Sequence, residues 1–391
     1  MRLILTMLYA TFVLLLAVSV GRAEDDDPQA KATAAVLSKL KQTNPQIRPS
    51  VDNGPTTAKV QAYVRNMDVD DVDMKITLDM TFRMRWNDYR LEYDEPGVNN
   101  VVVLNPKMAW IPDAFFKNAF TTQYKSVHPE NYLRVYPDGN VTYSTRLSVD
   151  LSCPMNLVRF PHDTQECKMQ IASYGYTTKD LILVWREETP TEISQFLHGG
   201  RFSLDRFDTG YCNSRTSTGD YSCVSVSVVI KRDFGAYLLE LYLPTIFLIV
   251  VAWFSFFIPF EQFLGRLLLT LIPLISLASF TNTFTKGLAS VPYIKAFDIF
   301  TGFSLCVIFL TLVHIVVCYI KGLKSTYTGP EGKSEDPEEG GAKNVEVEET
   351  SGFKKVLKKA KAKAEFLSRT FLVGFYIAFL FVYFAAYCGT G

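Results

Sequence analysis

The sequence of 391 residues has little histidine and no net charge. Its four histidines are His128, His162, His198 and His314, and no two of them stand at a spacing typical of metal ligands. Nucleophile motifs and phosphate-binding glycine loops are also missing, so we expect neither an enzyme nor a bound metal or other cofactor. Because 40 basic residues are balanced by 40 acidic ones, the composition argues against a nucleic-acid partner.

Apolar residues, by contrast, make up 48% of the chain and are gathered in long runs. The run Leu3–Val20, which follows Arg2, is typical of a secretory signal peptide that is cleaved after Ala23, with an uncleaved anchor as the alternative. Four later runs are long enough to cross a bilayer and predict spans at about 235–258, 264–284, 296–320 and 370–388.

The polar stretch between the third and fourth spans indicates the orientation of the chain. Its end, 354–363, is rich in lysine, which favours a cytoplasmic position. We therefore expect a multi-pass plasma-membrane protein with both termini extracellular. The predicted regions are a signal peptide (1–23), an extracellular domain (24–233), three membrane helices (234–320), a cytoplasmic loop (321–369), and a fourth helix with the C-terminus (370–391).

The extracellular region shows the period-two alternation of apolar and polar residues that is typical of strands. Such runs occur at 74–82, 141–149 and 224–230, with turn residues between them. They predict an antiparallel β-sandwich, preceded by a helix over 29–42. Asn140 begins an Asn-Val-Thr glycosylation sequon on this secreted surface.

Four of the seven cysteines precede the first span and can form disulfides in a secreted region. Three connectivities are possible, and pairing of Cys153 with Cys167 and of Cys212 with Cys223 is favoured because each pair closes a short loop. The first loop has an apolar tip that contains Phe160, which suggests a rigid finger that presses on another part of the protein.

The second span carries a mixed helical face, here called the span-two stripe, whose members recur at spacings of three and four. Polar side chains on a membrane helix are costly against lipid, so this face is expected to lie in a bundle interior or against water. A buried helix with interhelical hydrogen bonds is one reading, and a pore-lining helix with a hydrophobic constriction is the other. The stripe consists of Leu268, Ile272, Ile275, Ser279, Asn282 and Lys286.

Two further residues of this span bear on a pore. Arg266 stands near the predicted inner mouth and is counted among the pore-lining residues. Pro273 removes a backbone donor, so a kink or local break is expected there. One helix cannot enclose a channel, so the pore-lining reading requires a symmetric ring of subunits.

The arrangement resembles the Cys-loop receptor family of pentameric ligand-gated ion channels, over nearly the whole chain from about residue 30. The most specific feature is the thirteen-residue disulfide loop with its Phe-Pro-x-Asp tip, Phe160 to Asp163. Cys212 and Cys223 resemble the second disulfide of the glycine- and glutamate-gated branch. The other matching residues are Trp86-Asn87-Asp88, Trp110-Ile111-Pro112-Asp113, Ser173-Tyr174-Gly175-Tyr176, Arg232 and Pro244.

The resemblance implies a homopentamer, in which four further copies complete the ring, and an agonist site between neighbouring subunits. Tyr174 and Tyr221 would be aromatic walls and Thr218 would supply a hydroxyl, while Arg83 and Ser144 would hold a carboxylate. The alternatives are that Arg83 is an ordinary surface residue and that the tyrosines only pack. The residues of the coupling region would be Phe160, Pro161, Asp163, Arg232 and Pro292, with Asp163 and Arg232 as a charge pair.

The chain departs from the family pattern in the amine half of the agonist site. Thr216 stands where relatives carry an aromatic, and Ala172 stands where they carry an acidic residue. We therefore expect an amino-acid-like agonist that is not simply glycine or γ-aminobutyrate. The anion signature before the second span is absent, and Lys286 with the lysine-rich segment favours anions on charge grounds. A membrane-anchored receptor that binds ligand without conducting is the alternative function.

Overall fold

The structure is a computed structural model that describes residues 27–49, 54–125, 127–194, 200–259, 261–327 and 370–387. The predicted signal peptide, the lysine-rich segment 354–363 and the end of the predicted fourth span lie outside these ranges. The chain divides into two compact units. The first contains the residues up to Met155 and Gln165–Lys231, and the second contains Asn156–Thr164 and the chain from Arg232 onward.

Helix α1 (Pro28–Gln42) opens the first unit, as the sequence predicts. Asp27 caps it, because its carboxylate accepts a hydrogen bond from the backbone N–H of Gln29. Ala32, Val36 and Leu40 are spaced by four residues and are all buried, so one face of the helix packs on the rest of the unit.

Fourteen strands follow within the described residues, and the three predicted alternating runs lie in β2, β7 and β14. The strands are β1 (Thr56–Asp70), β2 (Lys75–Asn87), β3 (Val101–Val103), β4 (Ala114–Phe116), β5 (Ala119–Tyr124), β6 (Asn131–Val135), β7 (Asn140–Ser152), β8 (Thr164–Ser173), β9 (Leu181–Trp185), β10 (Thr191–Ile193), β11 (Phe202–Tyr211), β12 (Ser214–Thr216), β13 (Gly219–Tyr221) and β14 (Cys223–Arg232). Short 3-10 helices lie at Tyr89–Leu91 and Pro106–Met108.

The strands form an eight-stranded sheet, a four-stranded sheet and a small hairpin. The large sheet has the order β10-β1-β2-β7-β6-β3, with β5 beside β7 and β9 beside β1. The smaller sheet has the order β11-β14-β8-β4, and the hairpin pairs β12 with β13. The β-sandwich prediction is confirmed, with one departure: β1 runs parallel to β9 and β10. The alternation reveals which face of a strand is buried but not which strand lies beside it.

The sandwich core consists of every second residue of each long strand. In β2, Ile76, Leu78 and Met80 are buried, and the residues between them face outward. Trp86 and Trp110 are also buried and meet edge to face at 5.9 Å, so both belong to the core. The outward face of the large sheet is therefore free to carry polar and charged side chains.

Gly139 fixes the turn between β6 and β7. Its φ is +73°, and a side chain would approach the backbone oxygen of Asp88 to 2.9 Å. The backbone oxygen of Gly139 accepts a hydrogen bond from the N–H of Asp88 at 2.8 Å. Only glycine fits this turn without strain, which sets the register with which β7 enters the sheet.

In the described part of the second unit, four helices are long and apolar enough to cross a membrane, which agrees with the four predicted spans. They cover Phe234–Phe257, Phe263–Lys286, Ala296–Lys321 and Thr370–Tyr387, and the third helix continues to Tyr327. Side chains of the first, second, third and fourth spans meet in one apolar cluster around Ile249, Leu277, Ile308 and Tyr376.

Prolines affect the first two spans differently. In the first span a π-helical turn, Leu238–Tyr242, directly precedes Pro244, where the missing N–H interrupts the regular hydrogen-bond pattern. The second span is assigned as one continuous helix through Pro273, which is buried. A local break at Pro273 is therefore absent, and a kink there stays a prediction.

Candidate functional site

Both predicted disulfides are formed, and all four cysteines lie in the first unit. Cys153 and Cys167 are bonded with a Cα–Cα distance of 5.0 Å, and Cys212 and Cys223 are bonded with a distance of 4.8 Å. The backbone N–H of Cys212 also donates to the oxygen of Cys223 at 2.9 Å. Each bond therefore closes a loop whose ends are already adjacent.

Two of the sequence motifs contact each other. The indole N–H of Trp110 donates to the hydroxyl of Tyr176 at 3.0 Å. Asp113 accepts hydrogen bonds from the Ser173 hydroxyl at 2.7 Å and from the Tyr174 backbone N–H at 3.1 Å. The motif at 110–113 thus holds the loop at 173–176 in place.

Tyr174 stands at the end of that loop with its side chain in solvent. It is 78% exposed, and its ring meets the edge of Phe115 at 5.6 Å. The sequence reasoning missed Phe115, although its place just after the 110–113 motif on β4 could have pointed to it. Tyr174 and Phe115 form an exposed aromatic pair that could contact a ligand.

Thr218 and Tyr221 are brought together by the β12–β13 hairpin. Their hydroxyls are 3.0 Å apart, and the Thr218 hydroxyl lies 2.9 Å from that of Thr216. Thr216, the residue that replaces an aromatic, thus takes part in a local hydrogen-bond chain. The backbone N–H of Ser173 donates to the oxygen of Ser222 at 3.2 Å, which brings this segment near the Tyr174 loop.

Arg83 and Ser144 are directly opposite each other on β2 and β7. Ser144 is buried, whereas Arg83 is half-buried and its guanidinium donates to the side-chain oxygen of Gln61 at 3.4 Å. Arg83 and Ser144 lie on the outward face of the large sheet, whereas Tyr174, Thr218 and Tyr221 lie elsewhere in the first unit. The predicted set therefore forms two groups within one chain.

Arg83 lines a cavity of about 370 Å³ on the outward face of the large sheet. None of the nine residues that line it is acidic, and five are basic. The sequence reasoning missed the other cations, although alternation places them on the same face as Arg83. The basic lining residues are Lys59, Arg83, Arg85, Arg134 and Arg186.

The tip of the first disulfide loop, residues 156–164, packs within the second unit. Phe160 is fully buried, with its ring 5.3 Å from that of Tyr237 and 6.2 Å from that of Phe297. Pro161 beside it is also buried. The aromatic tip is thus inserted among the ends of the first and third spans.

Asp163 and Arg232 form the predicted charge pair. The two side chains meet through two hydrogen bonds of 2.7 Å and 3.1 Å, and both are almost completely buried. Arg232 also donates to the Tyr237 hydroxyl at 3.0 Å and lies 4.7 Å from the Phe160 ring centroid. One arginine therefore joins the loop tip to the beginning of the first span.

His162, which the sequence reasoning did not assign to a site, connects the loop tip with two spans. Its Nε2 lies 2.9 Å from the Tyr242 hydroxyl, which lies 3.0 Å from the Tyr383 hydroxyl of the fourth span. Burial lowers the pKa of the imidazole below its ordinary value, against a smaller opposing effect of Asp163. Burial therefore favours the neutral form of the His162 imidazole in this network.

The segment between the second and third spans also bonds to the loop tip. The Tyr293 hydroxyl accepts from the Leu157 N–H at 2.9 Å, and the N–H of Phe297 donates to the oxygen of Phe160 at 3.1 Å. Pro292, the predicted residue of this segment, is exposed. Its neighbour Tyr293 makes the hydrogen bond instead.

The span-two stripe is exposed along its whole length within the single chain, whereas Thr270, Pro273 and Leu277 on other faces are buried. Arg266, predicted as a pore-lining residue, does not lie on this exposed face: it is 4% exposed and donates to the backbone oxygen of Ile258 at 2.8 Å. It stands two positions before Leu268, a rotation of about 200° around the helix axis, which turns it to the opposite face. Leu264, four residues before Leu268 and 66% exposed, extends the stripe instead.

Asn140 begins β7, with its side-chain amide bonded to the Asp138 carboxylate, and its glycosylation stays a prediction. Within the described residues, no group of three or more His, Cys, Asp or Glu side chains could hold a metal ion.

The chain is similar to known receptor proteins over most of its length. A family model, the neurotransmitter-gated ion-channel ligand binding domain, matches residues 33–234. A glutamate-gated chloride channel of Drosophila melanogaster is 37% identical over 279 residues, which cover 70% of this chain and 61% of that protein. The human glycine receptor subunit beta is 33% identical over 302 residues, which cover 74% of this chain and 60% of that protein.

The matched region thus spans about three-fifths of the length of these two relatives. The family model covers more than half of the chain, including the disulfide loop, the 110–113 motif and the candidate ligand residues. The chain belongs to the Cys-loop receptor family of neurotransmitter-gated ion channels, in the branch of the glycine and glutamate receptors.

Proposed function

We propose that this chain is a subunit of a pentameric ligand-gated chloride channel whose agonist binds between extracellular domains. The observation that carries the proposal is the exposed face of the second span. A membrane helix that exposes Ser279, Asn282 and Lys286 requires a polar environment, which a ring of copies around a water-filled axis would supply.

The inner half of the same face supports a gate. Leu264, Leu268, Ile272 and Ile275 are all exposed in the single chain. In a symmetric ring these side chains would form successive apolar collars, and a narrow apolar collar excludes water and ions. The resting channel is then closed at the collars, and tilting or rotating the helix would open it.

Two groups of residues support an agonist site between copies. Arg83 and Ser144 lie on the large sheet of one copy, and Tyr174, Thr218 and Tyr221 would come from its neighbour. The guanidinium suits a ligand carboxylate, and the exposed aromatics suit the rest of the ligand. Because Ala172 and Thr216 remove the usual amine partners, we expect weak activation by glycine or γ-aminobutyrate.

Charge supports anion permeation. Lys286 is exposed at the end of the second span. Because Arg266 is buried, Lys286 is the cation that this helix exposes. The Drosophila relative is named as a chloride channel. The lysine-rich segment 354–363 would add positive potential at the cytoplasmic mouth, in a plasma-membrane protein with both termini outside.

The proposal is tested by expressing the chain in oocytes and recording currents during application of a panel of amino acids and carboxylates. An evoked current that is lost in Arg83→Gln, while surface expression is retained, is the expected result. Arg206→Gln is the matched control, because Arg206 is exposed and pairs with Asp205 and Asp208 away from the site. Equal currents in wild type and Arg83→Gln would refute the assigned role of Arg83.

A further inference from the structure

The basic cavity on the large sheet contains more positive charge than one ligand carboxylate can neutralise. The side chains that line it come from β1, β2, β6 and β7 and from the end of β9. The cavity is therefore formed by the paired strands of the sheet and not by a loop. Its volume of about 370 Å³ lies in the range of small-molecule sites.

The strand register brings like charges side by side. Lys59 of β1 is directly opposite Arg85 of β2, and Arg85 and Arg134 are both opposite Thr142 of β7. Side chains directly opposite each other on one sheet face are about 5 Å apart at Cβ, and like charges at such positions are destabilising. An arrangement that costs stability in the empty protein suggests a ligand that offsets the cost.

The cations near the centre of the cavity have no anionic partner in the described ranges of the chain. Lys59 pairs with Glu187 at 3.1 Å and Arg186 pairs with Glu188 at 3.4 Å, both near the surface. Arg83, Arg85 and Arg134 form no ion pair with a carboxylate of the described residues. Among the described side chains, Arg134 also has a buried Nε with no hydrogen-bond acceptor.

Aromatic side chains hold these guanidiniums in position. Arg85 lies 5.1 Å from the ring centroid of Tyr136, and Arg134 lies 5.8 Å from that of Tyr132. A guanidinium on an aromatic ring keeps its N–H edge available for an anion. The two arginines are therefore positioned without being neutralised.

We infer that this cavity binds a ligand with at least two anionic groups, one held by Arg83 and the second by Arg85 and Arg134. The second subsite takes a carboxylate or a phosphate monoester, since both fit the fork of a guanidinium. The inference rests on the proposed function only for Arg83. The subsite of Arg85 and Arg134 stands on the register, the missing partners and the cavity.

Binding to the purified full-length protein in detergent tests this without any need for conduction. The probes are propionate, with one carboxylate, and two ligands with two anionic groups, here called the dianions: succinate, with two carboxylates, and phosphoglycolate, with a carboxylate and a phosphate monoester. We expect succinate or phosphoglycolate to bind at least about 10-fold more tightly than propionate, because a second charge-assisted pair is added. Which of the two dianions binds more tightly identifies the class of the second group.

Variants locate the second subsite. Arg134→Gln and Arg85→Gln should weaken binding of the preferred dianion roughly 10-fold and change propionate affinity less than about 3-fold. Arg206→Gln, outside the cavity, should change neither. Equal wild-type affinity for dianions and propionate, or undiminished dianion binding in both variants, would overturn the inference. Dianion binding without evoked current would instead count against the channel function alone.

Discussion

At the residue scale, the pair of Asp163 and Arg232 shows how charge can be buried where the loop tip meets the helices. Both side chains are withdrawn from water, which is costly. Two hydrogen bonds between them and a third from Arg232 to the Tyr237 hydroxyl offset that cost. The pair is therefore a point where removing one partner leaves an uncompensated buried charge.

Asp163→Asn is accordingly expected to destabilise the protein by about 3–5 kcal/mol, because the Arg232 charge stays buried without a carboxylate. Asp205→Asn is the control, since Asp205 pairs with Arg206 at the surface, where such a pair contributes at most about 1 kcal/mol. Thermal unfolding of purified protein distinguishes the two variants. If both lowered the melting temperature equally, the buried pair would have no special role.

We expect His162 to make the stability of the folded protein depend on pH. Burial lowers its pKa in the folded protein below the ordinary value of 6.5, so the unfolded chain takes up a proton first as the solution is acidified. Its contribution to stability is complete above pH 6.5 and is lost as the pH falls through the folded pKa. We expect His162→Phe to flatten this loss in melting temperature between pH 7.5 and pH 5.5, roughly the window of histidine titration.

The groups around His162 define the control for that measurement. Asp163, Tyr242 and Tyr383 face the imidazole, and none of them is changed in His162→Phe. His128→Gln alters an exposed histidine and should keep the wild-type pH dependence. Identical pH profiles for wild type and His162→Phe would show that the imidazole does not titrate in this window.

At the scale of the element, the second span has two faces with different tasks. Thr270 and Leu277 are completely buried, and the Thr270 hydroxyl bonds to the backbone oxygen of Arg266 within the same helix. The exposed stripe begins at Leu264 and ends at Lys286. One face thus packs within its own subunit, and the other face is available for the proposed pore.

Ile272→Ser is expected to increase current in the absence of ligand, because a hydroxyl in the apolar collar lowers the cost of wetting it. Ile377→Ser is a matched control in the fourth span: Ile377 is 59% exposed and Ile272 is 58% exposed. Holding currents before agonist application provide the measurement. A resting current that rises equally in both variants would place Ile272 against lipid rather than in a gate.

Sequence periodicity predicts these elements well where one side of an element is uniformly apolar. The four spans, the alternating strands and the stripe from Leu268 to Lys286 follow from it. Arg266 shows the limit, since proximity to the mouth along the sequence does not determine the face on which a residue lies. The cations Arg85 and Arg134 show another limit, because they meet only through the pairing of β2, β7 and β6.

At the scale of the whole molecule, the proposed channel depends on assembly of several copies. The exposed span-two stripe and the two separate groups of ligand residues are both incomplete in one chain. A closed ring of identical copies would complete both at once, because each copy would present one group to each neighbour. Overall neutrality of the chain means that local clusters, rather than net charge, control which ions and ligands approach.

The most direct test of the proposed chloride channel is the reversal potential of the current carried by the expressed chain, evoked by ligand or present at rest in Ile272→Ser. When external chloride is lowered tenfold, we expect the reversal potential to shift positive by up to about 59 mV, the value for a singly charged ion. Replacement of external sodium by an impermeant cation should leave it unchanged. A reversal potential that follows sodium and ignores chloride would contradict the account.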